Sequence, residues 1–313
     1  MFEFFITRPL GWIIEQIYNL VSNYGLAIII FTIIVKLILL PLNVKSQKAM
    51  KKQQKIQPIL AELQEKYKND QQKLQTEMMK LDKENNVSMT GGCLPMLIQF
   101  PILIGLYRVI QWPLSFIFGV DWAAADVINK VYALRDQFAN SELVKYTMEQ
   151  LANQKQIELS KWASYANPND PWVINFNLFG LDLSQRPIEV WKYLECLDFT
   201  SNPAIYALLL IPALAVLSQW ASMKLTQKQT GQNQQTEGQA AQMSKSMTMM
   251  MPMMTLLFTF TLESGIGLYW IVSSLMQIVQ QILLDRILKK SEDEIEIIIP
   301  ERKQLHGKKS KKR

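Results

Sequence analysis

The sequence predicts an all-α integral membrane protein: five transmembrane helices, a cytoplasmic antiparallel helical hairpin and an N-terminal amphipathic interfacial helix. Three observations predict it. The 313 residues are 49% hydrophobic, and the apolar ones gather in five blocks: Tyr24–Leu42, Cys93–Phe118, Pro203–Ser222, Met247–Leu262 and Gly265–Ile287. Most blocks approach the roughly 20 residues a helix needs to cross hydrocarbon, where unpaired backbone groups are not tolerated. The intervening charge alternates in sign. Loop 43–90 carries ten lysines against six acids, loop 223–246 three lysines against Glu237, and the chain from Asp285 onward ten Lys/Arg against six acids. Segment 119–202 reverses this, with seven basic and eleven acidic residues. Lys/Arg excess marks the cytoplasmic side, so the N-terminus is expected outside and the C-terminus inside.

Residues 1–22 form the extracytoplasmic N-terminus. Leu10, Ile13, Ile14, Ile17, Tyr18 and Val21 recur at helical spacing, with Trp12 and Tyr18 placed to anchor at an interface. Packing of this helix on the bundle explains the same spacing, and both readings stand. The first span, 23–42, has no small-residue cleavage pattern and reads as an uncleaved anchor. It holds one charge, Lys36, within "FTIIVKLILLPL". A lysine in hydrocarbon costs about 2.5–3.5 kcal/mol on insertion scales. Lys36 lies six residues before Leu42, about 9 Å at 1.5 Å per residue. Either its side chain reaches the interface along the helix, or the protein uses the charge.

The region 43–90 is polar and lysine-rich. Ile56, Ile59, Leu60, Leu63 and Tyr67 make one apolar stripe; Leu74, Met78 and Leu81 make another. "KND" at 68–70 separates them as a turn, and Pro58 is expected to kink the first helix. The second span is 91–118. Segment 119–202 is extracytoplasmic, with helices expected at Trp122–Ala139 and Ser141–Tyr165 and a break at "NPNDP". The third span (203–222), a flexible Gln/Gly-rich loop (223–246), the fourth span (247–262), the fifth span (265–287) and a basic cytoplasmic tail (288–313) complete the chain. Seven of the sixteen methionines fall in Met243–Met254, either as ordinary packing against lipid or as an adaptable apolar surface.

Composition excludes several chemistries. The one histidine, His306, lies in the tail, so no His-dependent triad or multi-His metal site can be built. No G-x-x-x-x-G-K-[ST] loop is present, and no span carries paired acids; Glu263 sits at the turn between the last two spans. Cys93 and Cys196 fall on opposite sides of the membrane and make no plausible disulfide. The chain is expected to be no enzyme and to need no cofactor.

"TIIVKLILLPL" followed by the lysine-rich hairpin, "GGCLPMLIQFPILIGLY" and "SGIGLYWIVSSLMQIVQQ" resemble, in this order and separation, the YidC/Oxa/Alb membrane protein insertases, in their five-span bacterial form. The resemblance implies a chaperone or translocase of the plasma membrane with a hydrophilic groove open to the cytoplasm and closed outside. It assigns to that groove Lys36, Thr32, Gln99, Gln219 and Trp270, and to the slide for a client helix Phe100, Leu103, Tyr269 and Trp270. It implies nascent membrane proteins as clients, working as a monomer or beside a Sec-type translocon, with anionic lipid as a neighbour. Lys308, Lys309, Lys311, Lys312 and Arg313 would contact ribosome or lipid phosphate. Two departures stand out. The family usually carries arginine at the position of Lys36, so positive charge is kept but a bidentate fork is lost. Residues 121–172 look like an insertion. A different reading, a small-anion transporter or channel with Lys36 as its binding charge, would call for internal repeats, and none is evident.

Overall fold

In the computed structural model the described residues are 3–85, 94–137, 146–190, 206–230, 250 and 252–292. The tail residues Lys308, Lys309, Lys311, Lys312 and Arg313, the glycines of the "GGC" motif, both cysteines and the glutamine-rich loop beyond Thr230 lie outside them. The described chain is mostly helical. A π-helical turn, Glu3–Thr7, leads into α1 (Arg8–Val21), α2 (Tyr24–Ile38), α3 (Leu40–Lys66), α4 (Gln71–Glu84), α5 (Leu94–Gln111) and α6 (Pro113–Ile117). There follow α7 (Ala125–Gln137), α8 (Met148–Gln154), α9 (Gln156–Ala166), a two-stranded ladder of β1 (Asn177–Leu178) and β2 (Leu181–Asp182), and α10 (Leu210–Thr230). The last two helices are α11 (Pro252–Thr261) and α12 (Ser264–Glu292).

Prolines set breaks inside the predicted spans. Pro41 lacks an N–H and its ring crowds the preceding turn, so the first span divides at Leu39 rather than running unbroken over 23–42. Pro113 holds Trp112 out of the helical region, at φ −120° and ψ 56°, and divides the second block into α5 and α6. Pro58, expected to kink its helix, sits inside the single 27-residue α3. Among the described residues, Ser264–Ile287 meets the length and apolarity of a membrane span alone; α2 and α3 meet them only as a pair bent by 57°. Within the described residues of the fourth block lies the short apolar helix Pro252–Thr261. The outer helix expected over Ser141–Tyr165 is instead two, α8 and α9, because Lys155 takes φ −129° between them. The ladder β1–β2 departs from the all-α expectation.

The chain forms two compact units. The first comprises Met1–Val35, Ile98–Ser218 and Met253–Ser274. In it Ile14, Ile17 and Tyr18 of α1 are buried, and the Tyr18 hydroxyl accepts the Asn175 N–H at 3.2 Å. Tyr18 is therefore a packing residue, not an interface anchor; Trp12, 62% exposed, keeps that possibility. Gln156 of α9, fully buried, accepts the Ser115 N–H at 3.0 Å and donates to the Ser115 hydroxyl at 2.7 Å, fastening the outer helices to α6. A core of Leu178, Leu183, Val190, Leu208 and Ile211 joins the ladder to the start of α10, with Leu268 and Ile271 of α12 packed against it. Close approach excludes a side chain at Gly267, where a Cβ would lie 2.4 Å from Ile211 Cγ2.

The second unit comprises Lys36–Leu97, Gln219–Pro252 and Leu275–Arg313. Asp70 caps α4 by accepting the Lys73 N–H at 3.0 Å, after the turn that follows α3. Ile56, Leu63 and Leu81 form the core between the two helices, with Ile59, Leu60, Tyr67 and Leu74 around it. Apolar positions at a period of 3.6 residues on both helices make this packing possible.

Candidate functional site

In the first unit, α2 buries Thr32 completely, and its hydroxyl donates to the Ile28 carbonyl at 2.7 Å. On α5 the Gln99 amide donates to the Tyr269 hydroxyl of α12, which also hydrogen-bonds Ser273. Tyr269 is only 2% exposed. Bonding at its tip and packing along its ring fix the orientation of this tyrosine. Its neighbour Trp270 is half-buried and stacks on Phe258 of α11, with centroids 6.1 Å apart and planes 14° apart. Phe100 is 40% exposed and Leu103 half-buried, so α5 presents apolar surface from the slide positions.

A buried charge with its partners lies elsewhere in this unit. Glu263, 2% exposed, lies at the turn between α11 and α12. Its Oε1 accepts from Arg186 Nη2 at 2.7 Å and Nε at 2.9 Å, and its Oε2 from the Gln111 amide. Partial burial pulls the Arg186 guanidinium down, but the Glu263 charge and hydrogen bonds outweigh it and leave its pKa raised. The carboxylate is thus satisfied from two elements, as a buried charge must be.

In the second unit Lys36, on the last turn of α2, is 8% exposed. A lysine reaching the interface along a lipid-facing helix would show more of its stem. Thr32 precedes it by four residues, hence one turn, on the same face. The Lys36 carbonyl accepts the Gln280 amide of α12 at 2.9 Å, and Gln280 Oε1 accepts from Asn43 of α3 at 3.0 Å. Lys51 of α3, 5% exposed, pairs with Asp285 at 3.2 Å, and Gln281 donates to Thr226 of α10. Gln219 is half-buried on α10.

Sequence reasoning missed Asn43, Lys51, Arg186, Gln280 and Asp285. The glutamines of "SSLMQIVQQ" were a signal, since polar groups at i, i+3 and i+4 on an apolar helix need partners. Lys51 gave none, being one of ten lysines in its loop. Among the described residues, no group of three or more His, Cys, Asp or Glu is placed to hold a metal ion.

Comparison with known proteins accords with these features. The family described as 60Kd inner membrane protein matches residues 16–292. A protein called membrane protein insertase YidC from Nitratidesulfovibrio vulgaris (strain DP4) is 47% identical over 106 residues, 34% of this chain and 20% of that relative. Its namesake from Syntrophus aciditrophicus (strain SB) is 47% identical over 110 residues, 35% of this chain and 20% of the relative. The one from Clostridium tetani (strain Massachusetts / E88) is 44% identical over 147 residues, 45% of this chain and 66% of the relative. The chain therefore spans about a fifth of the length of the first two and just under two thirds of the third. With a match over 16–292, the chain belongs to the 60Kd inner membrane protein family, the YidC/Oxa/Alb family.

Proposed function

We propose that this protein is a membrane protein insertase, which receives nascent membrane proteins in a hydrophilic groove open to the cytoplasm and releases their helices sideways into lipid. The observation that carries the reading is Lys36: a lysine inside an apolar helix, 8% exposed, one turn from a fully buried threonine. Burying such a charge is costly, so its retention is best explained by use. Names carried by its relatives support the same reading.

The physical task explains the arrangement. A client's apolar helix already prefers lipid; carrying its polar flank across hydrocarbon is the obstacle. A wet groove reaching partway into the bilayer shortens that path, and Lys36, with Thr32, Gln99, Gln219 and Trp270, would attract the acidic or carbonyl-rich leading segment. The client helix leaves along Phe100, Leu103, Tyr269 and Trp270. Because helix burial drives the step, no nucleotide is hydrolysed. A membrane potential adds about 2.3 kcal/mol per charge per 100 mV for an acidic translocated tail.

In this reading five spans cross the bacterial plasma membrane, with the N-terminus outside and the hairpin of α3 and α4 in the cytoplasm beside the basic tail. The hairpin, with lysines around an apolar core, captures clients or docks ribosome or anionic headgroups. The test is purified protein in liposomes, offered a short single-span client without nucleotide. Insertion above that of empty liposomes is expected. Insertion that requires added nucleotide, or none at all, would overturn the proposal.

A further inference from the structure

Between β1 and β2, Asn177 pairs with Asp182 and Leu178 with Leu181, which leaves Phe179 and Gly180 as a two-residue turn. Their φ angles are +52° and +84°. Asparagine followed by glycine suits that backbone; a bulky aromatic at positive φ is a strained choice. The ring gains nothing inside the protein, being 91% exposed. Nor does the turn need it, since Asn177 Oδ1 accepts the Gly180 N–H at 3.0 Å and Leu178 and Leu183 already fill the core. Backbone strain and an exposed aromatic in one residue point to a partner outside the chain.

The position of the turn identifies that partner. The Asn175 carbonyl accepts the Tyr24 N–H at 3.0 Å, and the Asn177 carbonyl accepts from the Asn23 side chain at 2.8 Å, at the start of α2. The Leu183 carbonyl accepts the Gly265 N–H at 3.0 Å, and the Gln185 carbonyl accepts the Ser264 N–H at 2.9 Å, at the start of α12. The ladder is therefore tied to the first residues of two apolar helices. Helix α1, which ends at Val21 just before α2, exposes Trp12 and Leu20. Helix ends of this kind lie at the membrane–water interface, where aromatic rings are enriched.

We propose that Phe179 inserts its ring into the interfacial layer of the outer leaflet and holds the ladder against lipid. The proposal rests on the reading that α2 and α12 cross the bilayer. Cys93 and Cys196 are replaced by serine, and single cysteines introduced by Phe179→Cys or Leu275→Cys carry an environment-sensitive fluorophore. Leu275 is exposed within the apolar stretch of α12. Each protein is reconstituted into phosphatidylethanolamine–phosphatidylglycerol vesicles with nitroxide lipids, labelled either near the headgroup or near the bilayer centre. Loss of fluorescence at position 179 to the shallow nitroxide, with little loss to aqueous iodide, is the expected result. Iodide quenching at 179, or protection from both quenchers as under a protein partner, overturns it when position 275 is quenched by lipid. If neither position is quenched by lipid, the membrane-spanning reading fails and this proposal with it.

Discussion

Lys51 and Asp285 form an ion pair at 3.2 Å, with the lysine side chain 5% and the aspartate side chain 31% exposed. The pair joins α3 to α12 within the second unit, beside the chain of hydrogen bonds from Asn43 through Gln280 to the Lys36 carbonyl. The last turn of the helix that carries the candidate charge is thus braced through its backbone carbonyl.

Unequal burial of the two partners predicts unequal costs. Asp285→Asn removes the opposite charge from beside a buried ammonium, whereas Lys51→Met fills its site with apolar volume and leaves a partly hydrated carboxylate. With the aspartate near one third exposed, the loss for Asp285→Asn should be about 1–3 kcal/mol, below that of a fully buried pair. Lys51→Met should cost less. Thermal unfolding in detergent measures both; equal losses would show that the lysine is not buried in the working protein.

Glu263 and Arg186 give the converse asymmetry. The carboxylate is buried and the arginine side chain is 44% exposed. Arg186→Ala leaves the charge of Glu263 with Gln111 and should destabilise by about 2–3 kcal/mol. Glu263→Gln keeps one oxygen for Arg186, requires the Gln111 amide to flip so that it accepts instead of donating, and should cost roughly half as much. The double variant should lose little more than Glu263→Gln does. Additive losses in unfolding experiments would contradict this coupling.

Asp182 predicts a pH dependence. Burial pushes its carboxyl up, but hydrogen bonds from Ser184 and the nearby Lys161 ammonium outweigh burial and hold it below its ordinary value. A depressed folded-state pKa gives stability that is present above the unfolded value, about 3.9, and is lost as pH falls through the folded one. Hydrogen-exchange protection of the Ser184 amide, which donates to Asp182 at 3.0 Å, should fall on acidification within that window. Asp182→Asn should start less protected and change little across it. An unchanged wild-type profile down to the lowest pH would contradict the assignment.

How far the sequence reveals this depends on the range of the interaction. The stripes bearing Ile56, Leu63 and Leu81 were legible because a 3.6-residue period is a local signal. Breaks at Leu39 and Trp112 were also written locally, in Pro41 and Pro113, but unbroken hydropathy hid them. The β1–β2 ladder was not legible: its strands have two residues each, and Phe-Gly is not a turn sequence that announces itself. The polar contacts were hidden by separation. Asn43 meets Gln280 across 237 residues and Arg186 meets Glu263 across 77, and no spacing rule connects them. Lys36 was visible because a charge within an apolar run has a cost that asks for a reason.

The most direct test of the central claim compares wild-type protein with Lys36→Arg and Lys36→Ala in liposomes, offered a single-span client with an acidic translocated tail. Lys36→Arg should insert it as wild type does, because positive charge is retained. Lys36→Ala should fail with this client far more than with one whose tail is neutral. Equal insertion of both clients by Lys36→Ala would contradict the account and make Lys36 a structural residue.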